Sequence, residues 1–157
     1  MSLADLQRTG FAAGLTALAS ELACSDFATD LQPYLQQQRE QVAARVERFR
    51  PIIGRVLTAL AAVDVPATPV KGAELINGIW RYPGARPMSD VDVIVPVALR
   101  AQATAALVSA GFTFDGASVH EDTFLAWGDG SIGRTDGESL DHNGRVEIHP
   151  GWSEFIH

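Results

Sequence analysis

Cysteine is nearly absent from the chain. Cys24 stands alone, which excludes an intramolecular disulfide and leaves no cysteine-based zinc site. It lies in a helical pattern and reads as a small buried hydrophobe. Long apolar runs are missing too: no stretch reaches the roughly 18 residues that a membrane-spanning helix needs. Asp5 and Arg8 come before any apolar run, so the opening residues do not read as a secretory signal, and the cytoplasm is the expected compartment. Basic charge is scarce. Twelve Lys and Arg stand against 19 Asp and Glu, a net charge of −7, which argues against a broad surface for duplex nucleic acid but allows a local basic pocket. Lysine is the rarest cation, with Lys71 its only instance. Internal repeats and low-complexity tracts are absent.

What is present suits a globular protein. With 157 residues, 46% hydrophobic and 20% charged, the chain is long enough to bury a core as one domain. Leu3, Leu6, Phe11, Leu15, Leu18 and Leu22 recur at helical spacing and predict an amphipathic helix over 3–23. Ser25 or Asp26 can cap a short second helix ending at Leu31. Pro33 suits the first turn of a third helix that runs through Gln36 to Arg50. Pro51 is expected to kink or break it, leaving a fourth piece over 52–63. Arg39, Arg45, Arg48, Arg50 and Arg55 cluster here and read as a solvated face rather than a phosphate-binding one.

The texture changes after Asp64-Val65-Pro66. Residues 1–63 form a helical part and 64–157 an α/β core, expected to make one compact unit. Thr68 to Gly72 predicts a short strand running into a glycine turn, where the backbone can pass close to a ligand or begin a helix with free N–H groups. Ala73 to Trp80 reads as a helix, Tyr82-Pro83-Gly84 as a turn, and Asp90 to Val95 as a strand that Pro96 stops. An Ala-rich helix follows to Ala110, with Gly111 as its stop. Half of the 14 glycines lie between Gly111 and Gly144, so shorter strands and loops are expected there. Short strands are predicted at 112–114 and within 119–127. The Gly/Asp-rich stretch 128–137 reads as a mobile loop, and its acids do not match the calcium-loop spacing. Asn143-Gly144 predicts a two-residue hairpin joining a strand near 139–142 to one over 145–149. Trp80, Trp127 and Trp152 read as core or rim residues.

The chemistry concentrates on three acids. β-Branched residues in Asp90-Val91-Asp92-Val93-Ile94-Val95 mark a buried strand, and side chains two apart share a face. Asp90 and Asp92 therefore point the same way and repel each other unless a cation sits between them. A hard dication such as Mg²⁺ answers that need. An isolated D-x-D matches by chance, and a solvated strand end is the bland alternative. In the strand Arg145-Val146-Glu147-Ile148-His149, however, Glu147 and His149 share a polar face, which adds a third carboxylate. Two acids on one strand and one on another is the ligand set of a two-metal phosphoryl-transfer site, with Gly72, Lys71 and Arg86 available for phosphate. Each has a plainer role open to it: Lys71 as a strand-end lysine, Arg86 as a loop-holding partner of Asp90 or Asp92, Ser89 as a turn residue, Glu147 as a solvated hairpin residue. His120 and His142 are not at a zinc-site spacing.

Three blocks together resemble a known family. Val70-Lys71-Gly72-Ala73, Arg86-Pro87-Met88-Ser89-Asp90-Val91-Asp92-Val93-Ile94-Val95 and Val146-Glu147-Ile148-His149 resemble the uncharacterised nucleotidyltransferases of the polymerase-beta-type superfamily. The resemblance covers residues near 52 to 152. It implies a mixed sheet flanked by helices, an NTP substrate such as ATP, a hydroxyl acceptor (a small molecule, a protein or an RNA end), and Mg²⁺ or Mn²⁺. It matches Asp90 and Asp92 to the two metal-binding aspartates, Glu147 to the third carboxylate, and Gly72 to the glycine of the phosphate turn. Ala73 departs from the pattern by replacing a second Gly or Ser, and Lys71 can substitute as a point charge. Ser89 and His149 are expected to touch substrate or support the acids. The end at His157, ten residues after Glu147, implies either a minimal form or a fragment. Two rivals keep the fold: a non-catalytic nucleotide-binding module, and a partner-binding protein whose helical part is the interface.

Overall fold

Strong helix formers, Gln36 to Glu40 and Ala43 to Arg45, sit inside one long helix, α1 (Gln32–Ala61). The computed structural model describes residues 32–75, 87–128 and 142–151. Leu35, Val42, Val46, Phe49, Val56 and Leu60 are its buried stripe, at helical spacing. Pro51 lies within α1 and does not break it. Proline removes the bond to the carbonyl four residues earlier, that of Glu47. Both Pro51 and Glu47 are exposed, so water can satisfy that carbonyl. The helix ends where Val65 donates to the Leu60 carbonyl at 3.0 Å, with Asp64 at φ 56 and Val65 and Leu60 both buried. This is a Schellman stop in which aspartate takes the left-handed position.

Packing divides the chain into two units. One comprises Met1–Arg48, Ile76–Met88 and Ile132–His142; the other comprises Phe49–Leu75, Ser89–Ser131 and Asn143–His157. In the first, Arg45 is buried, and its Nε donates to the Met88 carbonyl at 2.8 Å. The expectation of a solvated arginine face fails at this residue, because a backbone carbonyl supplies the partner its guanidinium needs away from water.

The second unit holds the sheet. After α1 come β1 (Thr68–Val70), α2 (Gly72–Leu75), β2 (Asp90–Val95), a 3₁₀ turn (Val97–Leu99), α3 (Arg100–Ser109), β3 (Thr113–Ala117), β4 (Asp122–Trp127) and β5 (Gly144–Pro150). The described strands form one mixed sheet in the order β1-β2-β5-β4-β3. β2 and β5 pair parallel, and the other pairs are antiparallel. Alternation sends Val91, Val93, Val146, Ile148 and Phe124 to one buried face. Asp122 is opposite Ile148 and joins α3 to that face: Arg100 reaches its Oδ1 at 2.6 Å and Thr104 donates to its Oδ2 at 2.5 Å. These two partners offset the cost of burying the carboxylate and hold it below the usual aspartate range. Arg55 of α1 donates to the Ala110 carbonyl and lies 4.7 Å over the Phe112 ring, closing the end of α3.

Asn143-Gly144 does not form the expected hairpin. Neither residue has positive φ, and Gly144 is already in β5 opposite Trp127. A Cβ at Gly144 would lie 2.4 Å from the Trp127 ring. The glycine thus serves the close approach of an indole, which itself packs 4.6 Å from Phe49. Among the described residues the partners of β5 are β2 and β4, so the strand assignment of Glu147 holds without the turn; the strand expected near 139–142 lies outside them except for His142. The helices expected over 3–31, Cys24, the turn at 82–84, Trp80, Trp152 and the loop from 129 lie outside the described residues, as does helix 73–80 beyond Leu75. No helix among the described residues is long and apolar enough to cross a membrane.

Candidate functional site

The parallel pairing of β2 with β5 puts Asp90 beside Arg145, Asp92 beside Glu147 and Ile94 beside His149. These six share the sheet face opposite α3. Asp92 is 1% exposed and His149 is 3% exposed, so two ionisable groups meet with almost no water. His149 Nε2 lies 2.9 Å from Asp92 Oδ1 and 3.8 Å from Glu147 Oε2. One ligand atom from each of Asp92, Glu147 and His149 falls within 4.8 Å of the others. Asp90, at the head of β2, acts on this group through its charge and accepts a bond from the Ser89 hydroxyl.

Lys71 supplies the positive side. Val70 is the β1 partner of Asp92, and Lys71 leaves the strand one residue later with φ 50. A left-handed lysine costs about 1 kcal/mol or more. Its Nζ reaches Asp92 Oδ1 at 2.5 Å while the side chain stays 48% exposed. Gly72, next in the chain, begins α2. Arg86 lies outside the described residues.

The charges are unevenly settled. Burial and then the charges of Asp90, Glu121 and Asp92 push the Glu147 carboxyl up to about 7. Burial and the neighbouring Asp92 also raise Asp90, against the Ser89 bond. Burial alone would raise Asp92 too, but the bonds from His149 and Lys71 outweigh it and hold Asp92 below the usual range. Burial pulls Lys71 and His149 down, and in each the Asp92 contact reverses the sign. The site is therefore an acid cluster whose charge is only partly balanced by one half-exposed ammonium and one imidazole. Two carboxylates and an imidazole at this spacing fit a divalent cation, which would supply the missing charge.

His149 is closer to the acids than sequence reasoning placed it. Its period-two spacing from Glu147 put it on the right face, but only the β2 pairing shows that it touches Asp92. Glu121 was not anticipated: its Oε2 is 4.0 Å from His149 Nδ1. Thr123 pairs with Glu147, so a residue two positions earlier falls toward His149, a relation visible only once β4 and β5 are in register. No curated protein and no solved structure matches the chain. The chain belongs to a family of uncharacterised nucleotidyltransferases, whose family model matches residues 4–153.

Proposed function

We propose that the protein transfers a nucleoside monophosphate from an NTP to a hydroxyl acceptor with the help of a divalent metal. The observation that carries the reading is the buried Asp92 beside Glu147 on adjacent parallel strands, within a chain of this family. Asp90, Asp92 and Glu147 would hold the metal. Bound there, Mg²⁺ or Mn²⁺ would lower the pKa of the acceptor hydroxyl and neutralise the leaving pyrophosphate.

The chain's own groups do the rest. The acceptor oxygen attacks the α-phosphorus, the bond to the bridging oxygen breaks, and pyrophosphate leaves. Glu147 would stay ionised as a metal ligand, and the acceptor hydroxyl gives its proton to water. Lys71 can turn from Asp92 to the triphosphate, since its side chain is half exposed. Gly72, Ser89 and Arg86 are assigned to the phosphates and His149 to the acids. Transfer of this kind rests on positioning and electrostatics more than on covalent catalysis by the protein.

A panel of the four NTPs, each with Mg²⁺ or Mn²⁺ and each without metal, tests the binding half of the reading. Thermal stabilisation by NTP only when metal is present is the expected result. No stabilisation by any pair would contradict it.

A further inference from the structure

Asp92, Glu147 and His149 make an unusual set for a magnesium site. Mg²⁺ prefers oxygen ligands and keeps several waters, whereas imidazole suits the later first-row transition metals. His149 is no surface residue that happens to lie near acids: its side chain is 4% exposed, and Nε2, the atom facing the acids, sits 2.9 Å from Asp92 Oδ1 and 3.8 Å from Glu147 Oε2. Metal bonds of about 2.1 Å place neighbouring ligand atoms about 3.0 to 3.4 Å apart. The observed pair of distances brackets that range. Without metal, Nε2 donates its proton to Asp92 Oδ1; a cation would take the place of that proton, and the carboxylate of Glu121, with Oε2 4.0 Å from Nδ1, lies on the side of the ring where the remaining proton would sit.

We infer that His149 is a direct metal ligand with Asp92 and Glu147, and that it makes this centre a first-row transition-metal site of the Mn²⁺, Co²⁺ and Zn²⁺ class rather than a magnesium site. The inference rests on the reading of Asp92 and Glu147 as the metal-holding acids of the transferase. Lys71 shares Asp92 Oδ1 and must yield part of that oxygen to the cation; its half-exposed side chain has solvent to move into. Any oxygen site binds Co²⁺ more tightly than Mg²⁺ to some degree. What the imidazole adds is a gap between the two metals that disappears with His149.

The test uses the full chain, stripped of metal and free of nucleotide. Electron spin-echo spectroscopy of the Mn²⁺-loaded wild type reads a directly bound nitrogen without any substitution, and a nitrogen coupling is expected. Calorimetry with Co²⁺ and Mg²⁺ on wild type, His149→Ala and His149→Gln supplies the second readout. Co²⁺ affinity should fall about 10- to 100-fold in both variants, with Mg²⁺ affinity changing by less than about threefold. If the variants do not fold, as circular dichroism would show, the nitrogen coupling in wild type decides alone. Absence of nitrogen coupling, or equal losses for both metals, overturns the inference and leaves His149 as a partner that only orients Asp92. Pyrophosphate release separates the two ideas. A Mg²⁺ enzyme with no nitrogen signal sinks only this inference, and a nitrogen-ligated metal with no nucleotidyl transfer sinks only the transferase reading.

Discussion

Replacing Glu147 with Gln should stabilise the metal-free protein at high pH. Glu147 sits on a buried strand among Asp90, Asp92 and Glu121, so ionising it costs more in the fold than in the unfolded chain. Its carboxyl moves from 4.5 to about 7, a rise equivalent to about 3 kcal/mol when the group is fully charged. Because the folded value is the raised one, this part of the stability is whole below about pH 4.5 and is lost as pH climbs through about 7. Some side-chain exposure lets water screen the charge, so about 3 kcal/mol is the ceiling and 1 to 3 kcal/mol the expected range. Urea unfolding in the presence of a chelator is the assay, at pH 5 and pH 8. Wild type should lose stability between the two relative to Glu147→Gln, and the variant should be the more stable at pH 8. His149 contributes a slope of the same sign through its raised pKa; most of that rise comes from Asp92, which both proteins keep, and the smaller share due to Glu147 is lost in the variant. A variant that is no more stable than wild type at pH 8, or whose advantage is as large at pH 5, would refute the electrostatic account of the cluster.

Other consequences follow from single contacts. Lys71→Met removes the ammonium from Asp92 Oδ1, so metal should bind about 3- to 10-fold tighter while NTP binds more weakly; calorimetry for both ligands checks the opposite signs. A change of the same sign in both would remove one of the two roles: both weaker, the competition with metal; both tighter, the contact with NTP. Gly144→Ala puts a methyl 2.4 Å from the Trp127 ring and should cost about 1 to 3 kcal/mol, read by urea unfolding and a shift in tryptophan fluorescence. An unchanged midpoint would show that the β4–β5 edge gives way freely.

Local pattern carried part of this far. The β-branched run after Asp90 placed β2 to the residue, and period-two alternation put both aspartates on one face. Pro96 and Gly111 bounded the helical stretch between β2 and β3, with Gly111 at φ 87 as expected of a helix stop. The misses share a cause. Pro51 breaks helices when its freed carbonyl has no alternative partner, and sequence does not reveal that this turn faces water. Asn-Gly signals a hairpin when two strands adjoin it, but the strands that flank β5 come from positions 90 and 122. Periodicity tells which face a side chain takes and nothing about which strand lies beside it. Hence Glu147 was legible as a strand acid, while the meeting of His149 with Asp92 and the burial of Arg45 were not. Lys71 was noticed for its rarity; its bond to Asp92 depends on a positive φ that no pattern announces.

The central claim is that the acids on β2 and β5 serve nucleotidyl transfer, and pyrophosphate release tests it most directly. Wild type and Asp92→Asn are incubated with each NTP, a divalent metal and candidate hydroxyl acceptors, and the released pyrophosphate is measured. The substitution keeps the shape of Asp92 but gives up the charge that His149 and Lys71 hold, so circular dichroism accompanies the assay to establish that the variant is folded. Metal-dependent release by wild type with at least one NTP, lost in Asp92→Asn, is the predicted result. Release that survives in Asp92→Asn, or NTP binding by wild type with no pyrophosphate under any condition, would contradict it.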